Sequence, residues 1–69
     1  MTNSTLIKVY NNIKKYRTEK NISQNLLAEM TNLSVDYISL IENGKRTPSL
    51  KSLCKIADAL EIEAYKFLI

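Results

Sequence analysis

Residues 23–49 read SQNLLAEMTNLSVDYISLIENGKRTPS, and this stretch decides the fold. Two helix-start signals divide it. Ser23 precedes an apolar-periodic run, and Ser34 does so again eleven residues later. A serine hydroxyl accepts from the free N–H groups of a helix's first turn, so both serines are expected N-caps. Between the two runs lies Thr31-Asn32-Leu33, where Asn32 can take the left-handed conformation that a sharp turn needs. The stretch therefore predicts a short helix over about 24–31, a tight turn, and a second short helix over about 35–43. Gly44 ends the second one, because glycine reaches positive φ at no steric cost.

Outward from that stretch the chain stays helical. Its only glycine and only proline, Gly44 and Pro48, bracket a single loop. On the N-terminal side, Leu6, Val9, Tyr10, Ile13, Tyr16 and Arg17 recur at three- and four-residue spacing, which predicts a helix over about 5–20. Lys8, Lys14, Lys15 and Lys20 lie mostly off that face. Asn21 follows as a C-cap, and Ile22 is placed to staple the next helix. Leu27 and Ala28 point inward from the second helix, with Met30 beside them. Ile38 and Ile41 are the inward pair of the third. On the C-terminal side a helix is expected over about 48–60, with Thr47 as N-cap and Pro48 at its first position, where a missing N–H costs nothing. Leu50, Leu53, Cys54, Ile56, Ala57 and Leu60 make its core stripe. A fifth helical turn is expected over about 64–68. Residues 1–69 are read as one all-α domain of five helices.

Size and composition narrow the function. Sixty-nine residues support a core of only roughly 3–5 kcal/mol, so a partner subunit or well-idealised packing is expected. No apolar run approaches the roughly 18 residues of a membrane span, and no secretory signal is visible. With no histidine and a single cysteine, the usual zinc sites are excluded and no cofactor is expected. Cys54 reads as a core residue. There is no Gly-rich phosphate loop and no nucleophile–base pair, so no enzyme is expected. The net charge is +3. Residues 1–56 hold nine Lys/Arg against four Asp/Glu, and residues 57–69 hold one against three, so the excess falls on the part that carries the two short helices. A short helix, a tight turn and a second short helix make a helix-turn-helix, whose common use is to set the second helix in the DNA major groove.

The chain resembles the phage repressor and Cro type of helix-turn-helix regulator. The resemblance covers about Ile13 to Phe67. It rests on Ser23-Gln24, Leu27-Ala28, the run Ile38-Ser39-Leu40-Ile41-Glu42-Asn43-Gly44-Lys45-Arg46, Pro48-Ser49-Leu50, and the stripe Leu53, Ile56, Ala57, Leu60. It implies a compact five-helix, lambda-repressor-like domain that binds operator DNA, usually as a two-fold dimer. It also implies an ion pair between Arg17 and Glu42. Both residues lie on otherwise inward-facing stripes, and a buried charge must be paired. The resemblance further gives Gln24 the role of a backbone-clamping glutamine at the start of helix two, and gives the loop residues Asn43, Lys45 and Arg46 a grip on phosphates.

The remaining candidates follow from position. Affinity for DNA comes from phosphates and specificity from base edges. The Tyr37 and Ser39 hydroxyls are in reach of phosphate. Val35, Asp36, Ser39 and Leu40 are the base-facing residues of the recognition helix. Val35 and Leu40 offer apolar contact to a thymine methyl, and Asp36 either accepts from cytosine N4 or stabilises the helix dipole. Leu60, Ile62, Tyr65, Phe67, Leu68 and Ile69 exceed what one small core absorbs. A homodimer interface is favoured for them over folding back on the first helix. A dimer would space two recognition helices by about 34 Å. The expected partner is double-stranded DNA, in the cytoplasm of a bacterium or the host of a phage or plasmid. The alternative is a protein-interaction module or antitoxin that keeps the fold.

Overall fold

The computed structural model describes residues 3–69, which form α1 (Ser4–Glu19), α2 (Gln24–Thr31), α3 (Val35–Glu42), α4 (Leu50–Ala59) and a 3₁₀ turn (Ala64–Leu68). All described elements are helical. Each α-helix starts on a polar side chain that satisfies a free N–H. Asn3 Oδ1 accepts from Thr5 N at 2.8 Å, and the Ser23 hydroxyl accepts from Leu26 N at 3.0 Å. Ser34 accepts from Tyr37 N and Ser49 from Ser52 N, both at 3.1 Å.

Each α-helix also ends the same way. Asn21, Asn32, Gly44 and Glu61 have φ of 59°, 57°, 73° and 57°. The residue after each one donates its N–H five residues back: Ile22 to Arg17, Leu33 to Ala28, Lys45 to Leu40 and Ile62 to Ala57, at 2.9–3.1 Å. This is the Schellman closure, and it satisfies carbonyls that the helix end leaves free. The turn at Asn32 fixes the angle between α2 and α3.

The wholly buried side chains are Ile13, Leu27, Ile38, Ile41, Ile56, Leu60 and Phe67, with Val9, Ala28 and Ala57 beside them. Every element contributes, so no helix can be removed without opening the core.

Several expectations are corrected here. The expected fifth helix is a 3₁₀ turn. Five residues are too few to repay α-helix nucleation, and Glu63 makes no side-chain cap. The start of α4 is Leu50, with Ser49 rather than Thr47 as its cap, so Pro48 lies outside the helix. Leu50 is 75% exposed, and Cys54, one turn on, is exposed too. The core stripe of α4 is therefore narrower than its apolar residues imply. Met30 is 48% exposed on the outer side of α2.

The C-terminal turn folds back onto α1. Phe67 packs its ring against Tyr16, centroids 6.1 Å apart and tilted by 60°. The Asn12 amide, Nδ2, donates to the carbonyls of Lys66, Phe67 and Ile69 at 3.3, 3.0 and 3.4 Å. Leu60 and Phe67, placed by the sequence in a dimer interface, are instead 0% exposed within one chain. They have no surface to give a partner. Tyr65, Leu68 and Ile69 remain exposed, and Ile62 is half-buried.

Candidate nucleic-acid interface

The site is built around the outer face of α3. Ile38 and Ile41 anchor the helix in the core. At about 100° per residue, Val35, Asp36, Ser39, Leu40 and Asn43 then share the opposite arc. Val35, Asp36, Leu40 and Asn43 are exposed, and Ser39 is half-buried. The Asn43 amide donates to the Ser39 hydroxyl at 3.4 Å, a long bond that ties the end of the arc to its middle.

A buried polar cluster supports one flank. Arg17 and Glu42 meet as a bidentate pair: Nε donates to Oε2 at 2.6 Å and Nη2 to Oε1 at 2.9 Å. Their side chains are 10% and 1% exposed, so the charges are taken out of water together. Two parallel charge-assisted bonds are what offsets that desolvation. Arg17 Nη1 also donates to the Ile22 carbonyl at 2.7 Å, which fixes the connection between α1 and α2.

The cluster reaches the surface through Gln24. Its Nε2 donates to Glu42 Oε1 at 3.0 Å. One of its two N–H hydrogens is thereby used and its rotamer set, while the second remains for an acceptor outside. Gln24 also opens α2, where unpaired N–H groups and the helix dipole make a positive surface.

The loop after α3 forms the other flank. Asn43, Gly44, Lys45 and Arg46 are all exposed. Gly44 has φ +73°, and a Cβ on it would lie 3.1 Å from the Tyr10 ring. Glycine is therefore required twice over, by its backbone conformation and by the close approach of α1. Tyr10 sets the height of this loop, a role its place on a core stripe did not reveal.

Tyr37 lies off the outward arc, on the side of α3 that faces α4. Its hydroxyl accepts from Ser49 N at 3.2 Å. Arg46 lies over its ring, 5.0 Å from the centroid, a cation–π contact that steadies a flexible side chain. Burial alone would raise the Tyr37 hydroxyl. Hydrogen bonds from the Ser52 side chain and the Ser49 backbone and side chain, with the charge of Arg46, outweigh it and hold the pKa below its ordinary value. The hydroxyl accepts in its bond from Ser49 N, so its own proton stays available to an outside oxygen.

Gln24, Tyr37, Asn43, Lys45 and Arg46 thus rim the arc formed by Val35, Asp36, Ser39 and Leu40. Three supporting residues were not found in the sequence: Tyr10, Ser49 and Ser52. The Tyr10 signal was its seven-residue spacing from Arg17, which puts both on one side of α1. Ser49 was hidden by a competing cap at Thr47. Among the described residues no group of three or more His, Cys, Asp or Glu is arranged to hold a metal ion. No described helix is long and apolar enough to cross a membrane.

Comparison with known proteins places this geometry. The model of the helix-turn-helix family matches residues 13–67. The chain is 44% identical over 61 residues to control protein C.MunI of Mycoplasma sp, covering 87% of this chain and 82% of that protein. It is 39% identical over 51 residues to the ImmF control region 10 kDa protein of Bacillus phage phi105, covering 74% of this chain and 57% of that one. The match thus spans little more than half the length of the phage protein. Among solved structures, the biofilm regulator SinR in complex with DNA superposes with a TM-score of 0.84 at 34% identity, covering 88% of this chain and 98% of that one.

Proposed function

This chain belongs to the helix-turn-helix family, and we propose that it is a transcriptional regulator that binds double-stranded DNA as a homodimer on an operator. The observation that carries the reading is the exposed arc of α3 with hydrogen-bond donors gathered at its C-terminal end, where Glu42 holds Gln24 and the Asn43–Arg46 loop follows directly. A helix of this length enters the major groove, and these donors meet neighbouring phosphates. Arg46, braced on Tyr37, and Lys45 supply charge, while Gln24, Asn43 and Tyr37 supply neutral donors. Val35 and Leu40 would meet thymine methyls. Ser39 would contact a base edge, and Asp36 would accept from cytosine N4. With so few hydrogen-bonding readers, part of the specificity falls to DNA shape.

The dimer reading rests on the exposed apolar set Tyr65, Leu68 and Ile69, with Ile62 at its edge. These residues lie on the C-terminal turn and its approach, apart from the α3 arc. A two-fold axis through them would present two recognition helices to successive turns of one face of DNA, about 34 Å apart. The proposed setting is the cytoplasm of a bacterium or the host of a phage or plasmid. The reading assigns no reaction, metal or cofactor.

The test is selection from a random duplex pool, with binding of the recovered sequences followed against salt. An enriched near-palindrome bound by two protomers, with affinity falling about 0.9 log units per log unit of salt for each phosphate contact, is the expected result. No retention at low salt would sink the proposal. A second reading is favoured by Val35 and Leu40, each 37% exposed on the arc: the face docks a protein instead. Leu40→Asp would then abolish that complex, while Arg46→Ala would leave it intact.

A further inference from the structure

The interface described so far uses α2, α3 and the loop that follows. The structure also fixes which side of α1 faces it. Two residues of α1 touch the two flanks of the site. The Tyr10 ring lies against Gly44 in the loop. Arg17 holds Glu42, which holds Gln24. One edge of α1 therefore runs from the loop to the start of α2, bridging the two groups of phosphate donors.

Lys14 lies on that edge. Successive residues turn by about 100° and rise about 1.5 Å, so Lys14 is about 40° around and about 6 Å along from Tyr10. From Arg17 it is about 60° around and about 4.5 Å along. It is exposed, and among the described residues it makes no ion pair. Its neighbours Tyr10 and Arg17 turn into the protein, so its ammonium is the outermost group between them.

The other lysines of α1 lie elsewhere. Lys15 is about 140° from Tyr10 and about 160° from Arg17, and Lys8 is about 160° from Tyr10. Both are on the far side of the helix. Lys15 rests its ammonium 5.5 Å from the Tyr16 ring, toward the C-terminal turn. Three lysines of one helix are thus sorted by geometry, and only Lys14 shares the edge that carries Tyr10 and Arg17.

We infer that Lys14 is a further phosphate-binding residue, extending the DNA interface onto α1. It would contact a backbone phosphate beside those held by Gln24 and by the Asn43–Arg46 loop. Tyr10 and Arg17 lie about 10 Å apart along α1, and they reach Gly44 and Glu42 at the end of α3. An ammonium midway along that edge adds a cation beside the donors of Gln24 and the loop. The contact is to backbone alone, so it carries no base preference. The inference rests on the DNA-binding reading proposed above.

The test compares Lys14→Ala, Lys15→Ala and Lys8→Ala, which remove the same charge from exposed positions on one helix. Each is titrated against a labelled duplex of random sequence from low salt upward, with circular dichroism to compare helix content. The expected result is a salt slope shallower by about 0.9 per protomer, with several-fold weaker binding at low salt, for Lys14→Ala alone. Equal slopes for Lys14→Ala and Lys15→Ala, with wild-type binding intact, would overturn this inference and leave the broader reading standing. No duplex binding by the wild-type protein would overturn both.

Discussion

Replacing Arg17 by Met tests what the buried pair contributes. The substitution leaves Glu42 with a carboxylate that is 1% exposed and only the Gln24 amide as partner. It also strands the Ile22 carbonyl, which loses its bond from Arg17 Nη1. Breaking a buried pair from one side costs about 3–5 kcal/mol. A chain of this length has a total stability of roughly 3–10 kcal/mol. Arg17→Met is therefore expected to bring the fold to the edge of unfolding at room temperature, and Glu42→Leu to do the same from the other side. The double variant removes both charges and restores an apolar interior of similar volume. It is expected to recover to within about 1–2 kcal/mol of wild type, the residue being the unpaired Ile22 carbonyl and Gln24 amide. Urea denaturation of the four proteins, read as midpoint and slope, gives the cycle directly. Additive losses in the double variant would refute the reasoning, since they would mean that the two side chains act independently. The double variant should also bind duplex more weakly than its recovered stability suggests, because Gln24 has lost the bond that sets its rotamer.

Asn12→Ala removes three hydrogen bonds to the C-terminal turn, two of them part-buried. It should cost about 1–2 kcal/mol and speed amide hydrogen exchange across residues 64–68; unchanged exchange would show that Phe67 alone holds the turn. Glu61 sits at φ 57° without the tolerance of asparagine or glycine. Glu61→Gly should stabilise by about 0.5–1 kcal/mol and Glu61→Val should destabilise, both read from thermal midpoints, and matching signs would contradict a strained backbone there. Tyr37 has a folded pKa below its unfolded value near 10, so its ionisation favours the fold. The stability it adds is fully present above about pH 10 and is lost as pH falls through the folded value; it contributes nothing near neutrality. The stability gap between wild type and Tyr37→Phe should therefore widen as pH is raised toward 10, while duplex binding weakens because a phenolate repels phosphate; a gap that narrows would refute this.

The two short helices and their turn were legible because each signal has a local cause. Ser23, Ser34, Asn32 and Gly44 act within a few residues of themselves, through caps and left-handed closures that need no tertiary context. Errors arose where context decides. Leu50 and Cys54 continue an apolar stripe, yet no element packs over the first turn of α4 to cover them. Thr47 and Ser49 are both competent caps, and the choice was made by Tyr37, twelve residues before Ser49, which holds its N–H. Leu60 and Phe67 looked like surplus for a partner because the amount of core that α1 and α4 leave open cannot be counted from the sequence. The outward residues proposed for the interface form a pattern on α3 that the sequence shows. The groups that position them, Tyr10 against Gly44 and Glu42 under Gln24, act across elements distant in the chain and carry no local signature.

The fold-back of Phe67 onto α1 has a consequence for how the protein is made. The ring that completes the packing of Ile13 and Tyr16 is that of Phe67, synthesised about fifty residues after them. At about 5–20 residues per second, roughly 3–10 seconds pass between Tyr16 and Phe67. During that interval the inner face of α1 has no complete partner. Nascent chains therefore expose an unfinished core until Phe67 has been added, and those released before residue 67 should be removed by proteases rather than persist as binders.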